Sequence, residues 1–221
     1  MNYTDTLSFT RKTEYPVRHI PIKRIFDLLF SLTMMILGSP LFLLLAVLVK
    51  VTSRGAIIFG HERVGRGGCR FVCYKFRTMH PDAEQRLQQI LNSDPKLKEE
   101  WKTHYKLKRD PRITWVGKFL RKTSLDELPQ FWNVLKGDLS VVGPRPVTEN
   151  ELKNELGPYA ARFLTIRPGL TGPWQVSGRN NTSYTQRIRF DIYYIRHRSF
   201  TWDLYLILLT IPAIISARGA Y

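Results

Sequence analysis

LLFSLTMMILGSPLFLLLAVLV, residues 28–49, runs for 22 positions without a charge. As a straight helix rising 1.5 Å per residue it would be roughly 33 Å long, enough to cross a hydrocarbon core. Its centre argues against a plain span. Pro40 removes a backbone donor and clashes with the carbonyl four residues earlier, so a sharp bend is expected at Gly38-Ser39-Pro40. Arg18, Lys23 and Arg24 precede the run and Lys50 and Arg54 follow it, and the positive-inside tendency draws both ends to one side. A helix broken at Ser39-Pro40, which dips into one leaflet and returns, satisfies both constraints. In that hairpin the Ser39 hydroxyl is available to bond a carbonyl freed by Pro40. A kinked span and a buried helix of a soluble core are the rival readings. Asp27, at the entry to the run, is expected to pair with Arg24 three residues earlier on the same helical face.

Outside this block the chain is basic. Lys plus Arg outnumber Asp plus Glu by 34 to 18, a formal charge of +16, so the natural partners are phosphates, anionic lipid head groups or nucleic acid. Nucleic acid is disfavoured, because no stacking motif accompanies the aromatic residues and the Arg66-Gly67-Gly68 tract occurs once. Cys69 and Cys73 are too few for a disulfide framework; on one strand they would share a face and be partly buried. His19, His61, His80, His104 and His197 are scattered without a metal-ligand pattern.

A length of 221 residues suits one core with appendages: an N-terminal arm (1–21), a re-entrant membrane helical hairpin (22–52) and a catalytic domain (53–221). The expected fold class is α+β, mainly helical. Strand-like runs at 56–59 and 70–76 flank four glycines and predict a small β-hairpin. Pro81 opens a helix reaching residue 91. Residues 93–110 form a charged connection in which Trp101 and Tyr105 are spaced to share a helix face. Short helices are predicted within 116–122 and 125–135, an ordered loop at 143–146, and longer helices over 149–165 and 184–197. Residues 202–216 are apolar but short and contain Pro212; with Trp202, Tyr205 and Arg218 flanking, an interfacial helix is expected.

The chemistry lies in four strings that set basic side chains beside glycine or proline: YKFRTM (74–79), FLRKTSLDELPQ (119–130), GDLSVVGPRP (137–146) and RPGLTGPWQVSGR (167–179). Loops that hold a fixed shape around phosphate oxygens need such residues. Asp126 and Glu127 are adjacent acids amid this positive charge. Ser124 and Glu127 fit a capping box; Pro129 instead suggests that the regular helix begins there, with both acids just ahead of it. Either placement sets them near the positive end of a helix.

Together with KRIFD, GSP and RVGRGG, these strings occur in the order and spacing of the bacterial sugar transferase family, and over residues 20–216 the chain resembles its monotopic polyprenyl-phosphate glycosyl-1-phosphate transferases. The resemblance implies a ping-pong reaction at the bacterial inner membrane, with the active site on the cytoplasmic face, that starts exopolysaccharide, O-antigen or other glycan assembly. Asp126 would attack the β-phosphate of a UDP-sugar and release UMP, and undecaprenyl phosphate would then accept the phosphosugar. Glu127 would complete the dyad, with Mg²⁺ held by Asp126 and Glu127. Lys75, Arg121 and Arg145 match phosphate-binding positions, and Ser39-Pro40 the helix-breaking dipeptide. Membrane lipids are implied partners; a homodimer is left open.

Overall fold

The computed structural model describes residues 20–104, 107, 110–178 and 182–216. Most of the N-terminal arm, Tyr105, Arg18 and Arg218 therefore lie outside the described residues.

The uncharged run folds as α1 (Pro21–Leu37) and α2 (Ser39–Thr52), bent by 63°. No single described helix is long and apolar enough to cross a membrane; this pair passes that test only when taken together. Ser39 Oγ donates to Ile36 O at 2.8 Å, the carbonyl that Pro40 cannot reach for want of an N–H. The geometry is that of a re-entrant membrane element. Leu37, Leu43 and Val51 are exposed, while Asp27, Ser31, Leu45 and Val49 are buried against the rest of the chain.

The expected Arg24–Asp27 pair does not form. Arg24 donates instead to Val134 O (2.7 Å) and Leu135 O (3.1 Å), carbonyls in the last turn of a later helix, where the helical donors run out and a basic side chain is favoured. Asp27 accepts from the Val141 amide at 3.0 Å. Lys23 Nζ meets Asp203 Oδ2 at 2.6 Å, and Asp203 also accepts from Tyr194 Oη at 2.6 Å. Sequence proximity lost to tertiary partners because a buried charge needs satisfied neighbours, wherever they come from.

β1 (Ile58–Val64) and β2 (Arg70–Phe76) form the hairpin, antiparallel with Phe59 opposite Lys75, His61 opposite Cys73 and Arg63 opposite Phe71. A 3₁₀ turn at Arg66–Gly68 joins them, with Gly67 at φ 70°. Cys69 precedes the strand and is exposed, whereas Cys73 is buried; they do not share a face. α3 (Ala83–Ser93) and α4 (Pro95–His104) follow, so part of the charged connection is helical. Trp101 lies 5.0 Å from the Arg112 guanidinium, itself paired with Asp110 at 2.7 Å.

α5 (Trp115–Thr123) starts at Thr114, whose side chain accepts from the Gly117 amide, and ends at Ser124, held left-handed at φ 57°. A 3₁₀ turn over Leu125–Glu127 leads into α6 (Gln130–Lys136). The capping box is not made, since the left-handed Ser124 forms no side-chain cap. β3 (Ser140–Val142) pairs in parallel with β4 (Gly169–Thr171). Between them the helix expected over 149–165 is broken into a π turn (Glu151–Glu155), a 3₁₀ turn (Gly157–Tyr159) and α7 (Ala160–Phe163). Gly157 at φ 49° and Pro158, which lacks a donor, interrupt it. α8 (Pro173–Val176), α9 (Tyr184–His197) and α10 (Phe200–Ile215) complete the fold. One core gathers around Val134, Leu139, Val142, Leu156 and Tyr194; a second, under α2, joins Leu45 and Val49 to Phe76, Val116 and Leu120.

The β3–β4 pair fits only because glycines let backbones touch. A Cβ at Gly169 would stand 2.0 Å from Gly143 N, a backbone atom that cannot rotate away. Gly169→Ala is expected to cost about 3 kcal/mol, lowering the melting temperature by roughly 6–12 °C. Thermal denaturation of the purified protein checks this; an unchanged midpoint would refute the close packing.

Candidate active site

The left-handed Ser124 turns the chain sharply, and the 3₁₀ turn that follows delivers Asp126 inward, where it is buried. Three separate elements bring cations to this turn. β2 supplies Lys75, whose Nζ lies 2.6 Å from Glu127 Oε1 and 3.8 Å from Asp126 Oδ2. The loop after β3 supplies Arg145, with Nη1 3.8 Å from Glu127 Oε1. The last turn of α5 supplies Arg121, whose Nε donates to Thr78 Oγ1 at 2.9 Å and whose charge acts on Asp126. All five sequence-predicted polar residues thus line one cavity of about 650 Å³. Ser39 and Pro40 stand apart from it, at the helix break.

Burial pushes the Asp126 carboxyl up to about 6; Lys75 opposes the rise, Glu127 adds to it, and Arg121 and Arg145 oppose it. The group is therefore ionised at neutral pH yet poorly hydrated, the condition of a competent nucleophile. Glu127, closer to Lys75, is the better paired of the two acids.

Sequence reasoning missed a layer behind these residues. The Arg145 guanidinium lies 5.0 Å and that of Arg187 5.3 Å from the centroid of the Trp174 ring, and Trp174 Nε1 donates to Thr182 Oγ1. Glu151 takes Arg187 Nη1 at 3.0 Å and Arg63 Nη1 at 3.2 Å. Arg63 and Trp174 stand inside recognised strings, but Glu151, Arg187 and Asp191 occur in helical stretches where a charge reads as solvated surface. Asp191 is fully buried, and burial pushes its carboxyl up to about 7 against the pull of Arg187. A carboxyl whose folded pKa exceeds its unfolded value near 4 adds stability below that value and loses it as pH rises through about 7. Asp191→Asn should therefore lose less melting temperature between pH 5 and 8 than the parent chain; parallel curves would count against a neutral Asp191.

The cavity is amphipathic. Its polar pole holds Asp126, Glu127 and the cations, and its walls elsewhere come from Phe30 and Met34 of α1 and Ile207, Ile211 and Ile214 of α10. Leu208, Ile211 and Ile215 of α10 are exposed, as an interfacial helix requires. A phosphate carrying a long hydrocarbon can thus place its charge against Lys75 and Arg145 while its chain runs between the apolar walls given by α1 and α10.

For a metal, the donors at the pole are the two adjacent carboxylates; no group of three or more His, Cys, Asp or Glu gathers among the described residues. That set does not suit Zn²⁺, which takes three or four protein ligands. It suits Mg²⁺, which retains waters and binds through one or two carboxylates together with substrate phosphates.

Comparison with known proteins agrees with this geometry. The bacterial sugar transferase family matches residues 18–217. The exopolysaccharide production protein ExoY of Sinorhizobium fredii is 50% identical over 200 residues, covering 90% of this chain and 88% of that protein. The undecaprenyl-phosphate galactose phosphotransferase of Salmonella typhimurium is 46% identical over 201 residues, covering 90% of this chain but 42% of the relative. A UDP-glucose:undecaprenyl-phosphate glucose-1-phosphate transferase of Klebsiella pneumoniae is 41% identical, with 90% and 41% covered. With the family match spanning the whole described structure, and the four strings of basic and glycine or proline residues each sending side chains to one cavity, the chain belongs to the bacterial sugar transferase family.

Proposed function

We propose that the chain transfers a sugar 1-phosphate from a UDP-sugar to undecaprenyl phosphate, in two steps through Asp126. The observation that carries this reading is a buried, ionisable carboxylate, ringed by Lys75, Arg121 and Arg145, in a cavity whose walls are predominantly apolar. An Asp126 oxygen attacks the β-phosphorus; the bond from that phosphorus to the bridging oxygen breaks and UMP leaves with the electron pair. An oxygen of the lipid phosphate then attacks the same phosphorus, and the Asp126 carboxylate leaves. Lys75 and Arg145 face the oxygens on which negative charge accumulates. Glu127 is held by Lys75 and Arg145, and with Asp126 forms the site for Mg²⁺. When bound, that ion neutralises diphosphate charge.

The activities for which the relatives from Salmonella and Klebsiella are named suggest the donor and acceptor classes. The bent α1–α2 pair supports a membrane hairpin over 22–52; on our reading it lies beneath a catalytic domain over 53–221 that opens to the cytoplasmic side of the inner membrane. A lipid phosphate confined to the head-group plane meets such a shallow enzyme without leaving the bilayer. The test is a single-turnover incubation with a UDP-sugar and Mg²⁺ but no lipid. Stoichiometric UMP and a phosphosugar on the Asp126 peptide are expected; UMP that appears only when lipid phosphate is present would replace the two-step route by a ternary one.

A further inference from the structure

The hairpin register sets Phe59 opposite Lys75 and His61 opposite Cys73, so both rings project from the strand face that carries Lys75. Phe59 and His61 line the same cavity as Asp126, yet Phe59 is 49% exposed. The other rings at this cavity are covered: Phe76, Phe131 and Trp174 are 3%, 6% and 8% exposed, and Phe30 is half-buried. Phe59 and His61 are therefore the rings at this cavity most open to a ligand. Their centroids lie 6.2 Å apart at a tilt of 58°, which leaves a corner rather than a stack. The His61 Nδ1 lies 2.9 Å from the Glu62 carbonyl oxygen. A carbonyl only accepts, so Nδ1 carries the proton, and in the neutral ring Nε2 presents a lone pair.

We infer that Phe59 and His61 form the nucleobase subsite of this enzyme, with the Phe59 ring stacking on a pyrimidine and His61 Nε2 accepting its imide N3–H. This rests on the reading of the donor as a UDP-sugar and adds which residues recognise its base. An aromatic face one strand away from the phosphate-binding Lys75 suits a planar base attached to a diphosphate. The histidine acceptor selects among bases. Uracil bears a hydrogen on N3, whereas cytosine bears a lone pair there and would set acceptor against acceptor. An isoprenoid chain, by contrast, would cover the ring and leave the His61 nitrogen without a partner.

The test titrates UMP and CMP into the full chain in lipid nanodiscs by calorimetry and measures the KM of lipid phosphate in parallel. Phe59→Leu keeps an apolar side chain but removes the stacking face, and is expected to weaken UMP on the order of tenfold. Phe59→Trp is expected to restore binding, and the KM of lipid phosphate to stay unchanged in both variants. His61→Ala is expected to reduce the preference for UMP over CMP several-fold. UMP affinity unchanged in Phe59→Leu, or a loss that appears in the lipid KM instead, would overturn the subsite and give the ring to the isoprenoid. An unaltered UMP-to-CMP ratio in His61→Ala would overturn the role of the imidazole. Because UMP binding needs no chemistry, these outcomes are separate from the Asp126 adduct. An adduct with Phe59-independent UMP binding sinks the subsite alone, and Phe59-dependent binding without an adduct sinks the two-step route alone.

Discussion

Asp126→Asn is expected to abolish both the covalent adduct and turnover, a loss of at least about a thousandfold. The amide matches the carboxylate in size and keeps its place on the 3₁₀ turn, so folding should be preserved. What it lacks is the charge and lone-pair availability needed to bond phosphorus. Intact-mass measurement after incubation with a UDP-sugar, run beside a UMP-release assay, reads both losses in one preparation. The melting temperature of Asp126→Asn should not fall, because a buried carboxylate whose pKa is raised by desolvation is a cost to the folded state, which the neutral amide removes. Near-normal turnover would reject the assignment.

Arg145→Ala is expected to reduce kcat/KM for the UDP-sugar by about 10²–10³-fold. The guanidinium is one of the cations at the pole, and it is held in place by the Trp174 ring at 5.0 Å and by Glu127 at 3.8 Å. Arg145→Lys should recover only part of the loss, since an ammonium lacks the planar fork that grips two phosphate oxygens and lies flat on an indole. Lys153→Ala, which removes a surface partner of Glu149, is the control and should leave the rate within twofold or so. Equal effects at Arg145 and Lys153 would dissolve the idea of a built phosphate site.

The break between α1 and α2 was legible because its determinants are local. Pro40 lacks a donor whatever surrounds it, and the carbonyl it leaves is four residues away, within reach of the neighbouring Ser39. The β1–β2 hairpin and α9 were legible for the same reason: alternation, glycine turns and the Ser183–Gln186 cap act over a few residues. The helix expected over 149–165 failed on local chemistry that was underweighted, with Gly157-Pro158 in its middle. The Arg24–Asp27 pair failed for a different reason. Helix spacing put the two side chains within reach, but each found a partner more than 100 positions away.

From its residues alone, the chain determined where its backbone must bend, where acids adjoin in a basic segment, and that its charge calls for a phosphate-bearing partner. Tertiary structure alone decided that Lys75, from a strand some fifty residues earlier, sets its ammonium on Glu127. It also decided that Phe59 and His61 remain open while Trp174 is covered, and that Asp191 is buried beside Arg187. Backbone constraints act within a turn or two and so are written in neighbouring letters. Burial and charge pairing depend on distance through space, which a sequence does not hold until the chain has closed on itself.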